Sequence, residues 1–339
     1  MTEELMKKTY LIRKSIDSGN RHFVYSEEVE TGYVKIFNYV NSDMKLLEFA
    51  RDSYGMISDC FILYAVGHMG VAEVDSILTF LRALAKKNPD LNINCTSKES
   101  IKDRLRLLQK KGYLFKHRYE VLANNGDSVG KDVVAIYSLS EDAYQLVKQR
   151  LQKRLSINSA IQMKPMKELI GWACAGLVGS AIANAGSGFD GYLERVLRTK
   201  QLGAVYLPCE LKVITGGTAY YIAVMSSYLG IEKSYQTESD YAEVCAFKIN
   251  TIRNYLYCRT TKGVAVVVVA VADNTDLNEI AYRIYNAGNM DDYYGQIYFT
   301  GEGAVNSGLG MEHVFLQMKK NEDSERGYDI QYVKPPFMD

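Results

Sequence analysis

TSKESIKDRLRLLQKKGYLFKHR, residues Thr96 to Arg118, changes its hydrophobic period halfway along. Ile101, Leu105 and Leu108 recur at steps of three and four, the spacing of one helical face. Thr96 stands where an N-cap is expected, and Glu99, three residues on, completes a capping box. Gly112 closes the helix. Tyr113 to Leu122 is then an expected strand. A polar loop from Ala123 to Asp132, with Asn125-Gly126 and Gly130, leads to a return strand from Val133 to Leu139. Ser140 is the expected cap of a further helix that starts at Glu141 and ends at about Leu155.

Two helices precede this stretch. Ile57 to Val66 makes a buried first helix, stopped near Gly67 and Gly70. Val71, Val74, Leu78, Leu81 and Ala85 mark a second, which ends before Asn88-Pro89. Leu91 to Cys95 is a short extended piece. Residues 1–44 alternate apolar and polar around Tyr10 to Ile12, His22 to Tyr25 and Tyr33 to Phe37, a β-rich segment with a turn at Ser18-Gly19-Asn20.

Three helices, a hairpin with a glycine-bearing tip, and a closing helix form an order that resembles the winged-helix family. Ser100 to Arg118 is similar to that family's third helix running into its first wing strand. AIYSLSEDAYQLVKQRL, from Ala135 to Leu151, is similar to its second wing strand and closing helix. The resemblance covers residues 45–155. It implies a DNA-binding domain that places its third helix in the major groove.

Charge distribution agrees with that expectation. The formal net charge is zero overall. Residues 1–95 hold 11 basic and 13 acidic side chains, residues 96–154 hold 13 and 7, and residues 155–339 hold 16 and 20. A basic block inside an otherwise acidic chain is the distribution expected of one phosphate-facing patch.

On a helix, Lys98, Lys102, Arg106, Gln109 and Lys110 share an arc of roughly 120°. A helix lying in the major groove needs such a division, one side for packing and another for donors. Arg106 and Gln109 are the expected base readers, because each can bind a base edge with two hydrogen bonds. Lys98, Lys102 and Lys110, with Lys116, Arg118 and Lys131 of the wing, are the expected phosphate contacts. Ser100 completes the DNA-binding set. The alternative is a winged helix that docks on protein, since Glu99 and Asp103 dilute the basic face.

Residues 156–165 form a linker ending at Pro165, and 166–339 an α/β domain. Leu169 to Phe189 is uncharged, but its small residues, with Gly171, Ala175, Gly179 and Ala183 at steps of four, favour close helix packing or dimerisation over insertion in lipid. Phe189 to Leu197 is expected to be helical and Gly203 to Leu207 a strand. Val264 to Ala272 is the run of a strand buried on both faces. With the helix from Asp276 to about Ala287, capped by Asp273-Asn274-Thr275, and the strand from Gln296 to Thr300, it makes a crossover unit. The expected fold is therefore an α+β winged helix-turn-helix domain followed by an α/β domain with a partly parallel sheet.

The six cysteines, Cys60, Cys95, Cys174, Cys209, Cys245 and Cys258, and the four histidines, His22, His68, His117 and His313, lie far apart, so no metal or cofactor is expected. Scattered thiols and no signal peptide suit the cytoplasm. Glu210-Leu211-Lys212, with Asp190 upstream, invites comparison with metal-dependent nucleases that use an acidic-x-Lys strand. No paired carboxylates or nucleophile–base set supports that reading, and the expectation leans away from an enzyme. A winged helix followed by an α/β domain is also similar in outline to the replication-relaxation proteins of plasmids and conjugative elements. That resemblance implies action at an origin and a nuclease-like second half. The expected function is sequence-specific binding of double-stranded DNA by a homodimer, as an origin or mobile-element accessory or as a transcription regulator with a ligand-sensing or dimerising C-terminal domain.

Overall fold

The computed structural model describes residues 10–17, 22–28, 56–89, 93, 97–123, 134–141, 143–145, 147, 166–189, 193–195, 209–225, 243, 245–252, 264–270, 277–288, 297–306 and 310–335. The expected turn at Ser18 to Asn20, the Tyr33 to Phe37 and Gly203 to Leu207 strands, the 156–165 linker, Lys131, Asp190 and the Asp273 cap lie outside them. The chain divides into two units, Met1–Gly176 and Leu177–Asp339.

In the first unit, α1 (Met56–Met69) runs through Gly67 and stops at Gly70, whose N–H bonds the Val66 carbonyl at 2.7 Å. Val71 is not helical: Val71–Ala72 is a short strand, β3, that pairs with β5 (Val134–Leu139). α2 (Val74–Lys87) begins at Glu73, whose N–H donates to Ser76 Oγ at 3.0 Å. α3 (Lys98–Lys110) is capped by Ser97 rather than Thr96, with Ser97 Oγ accepting from the Ser100 N–H at 3.1 Å. At its other end Gly112, at φ 79°, donates to the Gln109 carbonyl, and Tyr113 N–H donates to that of Leu108. This is a Schellman ending, which needs the left-handed backbone that glycine adopts without a Cβ clash. Ile62, Val66, Ile77, Phe80, Leu81, Ile101, Leu105 and Leu108 fill the space between the three helices.

β4 (Leu114–Ala123) returns antiparallel to β5, from Leu114 opposite Leu139 to Tyr119 opposite Val134. Ser140 then caps the next turn, accepting from the Ala143 N–H at 3.3 Å, and residues 141, 143–145 and 147 are helical. The N-terminal hairpin is not a separate segment. β1 (Tyr10–Asp17) pairs with β2 (His22–Glu28) on one side and with β4 on the other, from Tyr10 opposite Ala123 to Asp17 opposite Lys116. The sheet order is β2-β1-β4-β5-β3.

The division between the units falls within α4 (Met166–Ala185). The second unit is built on one sheet of order β12-β11-β10-β9-β8-β7-β6. β6 (Leu193–Arg195), β7 (Leu211–Thr215) and β8 (Thr218–Met225) form an antiparallel meander. Leu193–Arg195 is therefore strand, not the helix expected from local propensity: pairing with β7 decides it. Gly216 and Gly217, both at positive φ, make the two-residue turn between Thr215 and Thr218, a type I′ geometry suited to a hairpin.

β9 (Val264–Ala270) runs parallel to β8 and to β10 (Ile297–Gly301), with α5 (Leu277–Gly288) in the crossover between β9 and β10. After the short α6 (Glu302–Asn306), β11 (Leu316–Lys320) and β12 (Tyr328–Tyr332) finish the sheet as an antiparallel hairpin. Ala281, Ile284 and Tyr285 of α5 and the helical stretch 245–252 bury one face of the sheet through Tyr221, Ala223, Ile297 and Phe299. On the opposite face α4 packs at Gly179, where an added Cβ would lie 2.5 Å from Leu211 Cδ2 and 3.2 Å from Ile222 Cδ1. All four members of the small-residue ladder, Gly171, Ala175, Gly179 and Ala183, are buried within the single chain. Among the described residues no helix is both long and apolar enough to cross a membrane.

Candidate nucleic-acid interface

α3 presents three kinds of surface because its 13 residues turn through successive neighbours. Ile101, Leu105, Leu108 and Gln109 form the buried side. Gln109 is only 6% exposed, so it belongs with the packing residues and not among the base readers expected from the sequence. It follows Leu108 on the buried side of the helix. Arg106 and Lys110 are exposed, together with Glu99 and Asp103. Lys98, Ser100, Lys102 and Arg104 are half-buried at the flanks.

Two ion pairs flank the helix. On the α2 flank Lys98 Nζ lies 2.6 Å from Asp75 Oδ2, both side chains 43% exposed. On the α1 flank the Arg104 guanidinium grips Asp59 with two nitrogens, Nε at 2.7 Å from Oδ1 and a terminal nitrogen on Oδ2. The Asp59 side chain is 4% exposed and that of Arg104 31%. A fork-shaped donor on both oxygens of a buried carboxylate fixes orientation as well as distance. The Asp59–Arg104 pair did not figure in the expected site. Its trace in the sequence is Asp59 itself, the only acidic residue in the apolar stretch Met56 to Met69, because such a carboxylate must find a partner once buried.

The expected DNA-binding residues fall into distinct environments. Arg106 is 68% exposed and carries an exposed ion pair to Asp103 at 3.1 Å. Lys98, Lys102, Arg106 and Lys110 recur every four residues and form a ladder that winds from the α2 flank toward solvent. Ser100 gives its N–H to the cap, and its side chain is half-buried. Lys116 lies on β4 with Nζ 5.9 Å from the centre of the Tyr137 ring, across the hairpin. His117, beside it, is fully buried with Nε2 3.0 Å from Ser138 Oγ. Arg118 takes part in β4 opposite Ala135, its side chain lying outside the described residues, as does Lys131.

In the second unit Glu210 does local structural work. Its Oε2 accepts the Val224 N–H at 2.8 Å, and its own N–H donates to the Ile222 carbonyl. Among the described residues no group of three or more His, Cys, Asp or Glu could hold a metal ion. Cys209 and Cys245 lie buried within the apolar core. No family model matches the chain, and neither a curated protein nor a solved structure matches it.

Proposed function

We propose that this chain is a winged-helix protein that binds double-stranded DNA through α3 and the β4–β5 hairpin. The observation that carries the reading is the division of α3. Ile101, Leu105 and Leu108 hold it to α1 and α2, while Lys98 and Lys102 flank that side half-buried and Arg106 and Lys110 are exposed. Arg106 is the base-reading candidate, as its exposed guanidinium can take up both acceptors of a guanine edge. Lys98, Lys102, Lys110 and Lys116 supply the phosphate contacts that set affinity and register. The two exposed carboxylates, Glu99 and Asp103, favour protein docking instead, and they are the reason a direct test is needed.

The role we propose is that of an origin or mobile-element accessory or a transcription regulator, with the second unit serving assembly or sensing. A nuclease reading draws no support from Glu210, whose carboxylate braces the β7–β8 edge. Selection of the full chain against a randomised duplex library tests the proposal. Enrichment of a defined site is expected. Arg106→Ala should flatten preference at discrete positions by about 1–3 kcal/mol per lost contact, whereas Lys102→Ala should weaken all duplexes alike. A library that emerges unenriched removes the sequence-specific reading.

A further inference from the structure

α2 carries a second basic stripe. Asp75, Thr79, Arg82 and Lys86 fall within an arc of about 60° on this helix, opposite buried Ile77, Phe80, Leu81 and Leu84. Arg82, Lys86 and the adjoining Lys87 are exposed. The stripe starts at Asp75, whose carboxylate holds Lys98 at 2.6 Å, and Lys98 is the first rung of the α3 ladder. Stripe and ladder thus meet at one ion pair. At 1.5 Å of rise per residue, Arg82 and Lys86 stand about 10 Å and 16 Å along α2 from that junction. Cations at that distance add phosphate contacts that α3 does not itself supply.

The junction has a particular chemistry. Both partners are half exposed, and an exposed pair of this kind is cheap to break because water screens it. A phosphodiester oxygen offers Lys98 the same kind of charge-assisted hydrogen bond as Asp75. The Asp75 charge, by contrast, repels any phosphate that approaches.

We propose that the α2 stripe and the α3 ladder form one track for the phosphate backbone of duplex DNA, with Arg82 and Lys86 as its outer contacts and Asp75 as an internal competitor that holds Lys98 until a phosphate displaces it. The proposal rests on the DNA-binding reading. It makes Asp75 a brake on affinity, so that removing an acidic group from the protein strengthens binding.

The test uses the full chain, a mixed-sequence duplex and three variants compared with wild type by fluorescence anisotropy over a salt series. Arg82→Gln with Lys86→Gln should make the slope of log K against log salt shallower by about 1.8, at about 0.9 per phosphate contact. Asp75→Asn should raise affinity severalfold at low salt and steepen the slope. Lys102→Gln with Arg106→Gln reports on α3 alone. Thermal melts of the α2 and α3 double variants should overlay the wild type, and Asp75→Asn should lose no more than an exposed ion pair contributes. A wild-type slope in the α2 double variant overturns the track, and an Asp75→Asn affinity at or below wild type overturns the competitor. If the α3 variant still shows its loss, only this proposal has failed. If α3 and α2 variants both match wild type, or wild type binds no duplex, the DNA-binding reading has failed with it.

Discussion

Asp59 holds both carboxylate oxygens on the Arg104 guanidinium, and this contact ties α3 to α1. Removing one partner of a buried pair leaves the other charge without compensation, at a cost of about 3–5 kcal/mol. Asp59 is the buried member of the pair, at 4% exposure, so Arg104→Ala, which leaves it unpaired, should cost about 3 kcal/mol in chemical unfolding. Breaking the exposed Lys98–Asp75 pair by Lys98→Ala should cost no more than about 1 kcal/mol. Equal losses from both variants would contradict the assignment of Asp59–Arg104 as the structural pair. A second residue-scale effect is pH-dependent. Tyr298 is buried on β10, and burial raises its pKa above the ordinary tyrosine value of 10.0, while a Gln317 hydrogen bond acts the other way. The folded state then keeps the phenol proton longer than the unfolded chain does. Its contribution is complete below the unfolded pKa and is lost as pH rises through the folded one. Unfolding free energy should fall from about pH 10 upward, and Tyr298→Phe should remove part of that slope.

At the scale of elements, helices were legible where packing repeats were long, and positions decided by tertiary contact were not. Ile101, Leu105 and Leu108 marked α3 and its buried side, and all three are fully buried. The cap moved one residue, from Thr96 to Ser97, because either hydroxyl can serve and only the surrounding chain path chooses. Gln109 was placed with the basic arc because its angle lies between Lys98 and Lys102, and local periodicity carries no information about which part of the chain packs over that position. Leu193–Arg195 became strand through pairing with β7, a contact invisible in three residues of sequence. The ladder in α4 was legible as a close-packing surface, but its partner was not. Gly179 faces Leu211, Ile222 and Leu193 of the same chain. Gly179→Leu should therefore destabilise the second unit by at least about 1–3 kcal/mol through overpacking. Light scattering and melting on that variant should show misfolded or less stable protein. A fully stable monomer obtained from a wild-type dimer would return the ladder to an intermolecular role.

For the whole molecule, the β4–β5 hairpin belongs to a larger sheet than residues 45–155 contain. β1 covers β4 from Ala123 to Lys116, so a chain lacking residues 1–30 exposes a strand edge of eight register pairs. Unpaired edges of that length aggregate, and this truncation should lower solubility before it alters any contact on α3. Homodimerisation remains our proposal for the assembly, since a two-fold pair doubles the recognised sequence. The central claim, that the α3 ladder binds duplex DNA, is tested most directly by titrating the intact chain onto a fluorescent duplex at several salt concentrations. With phosphate contacts from Lys98, Lys102, Lys110 and Lys116, and from Arg82 and Lys86 of α2, log K should fall linearly with log salt at a slope of about −5. A slope near zero, or no duplex binding at low salt, would contradict it.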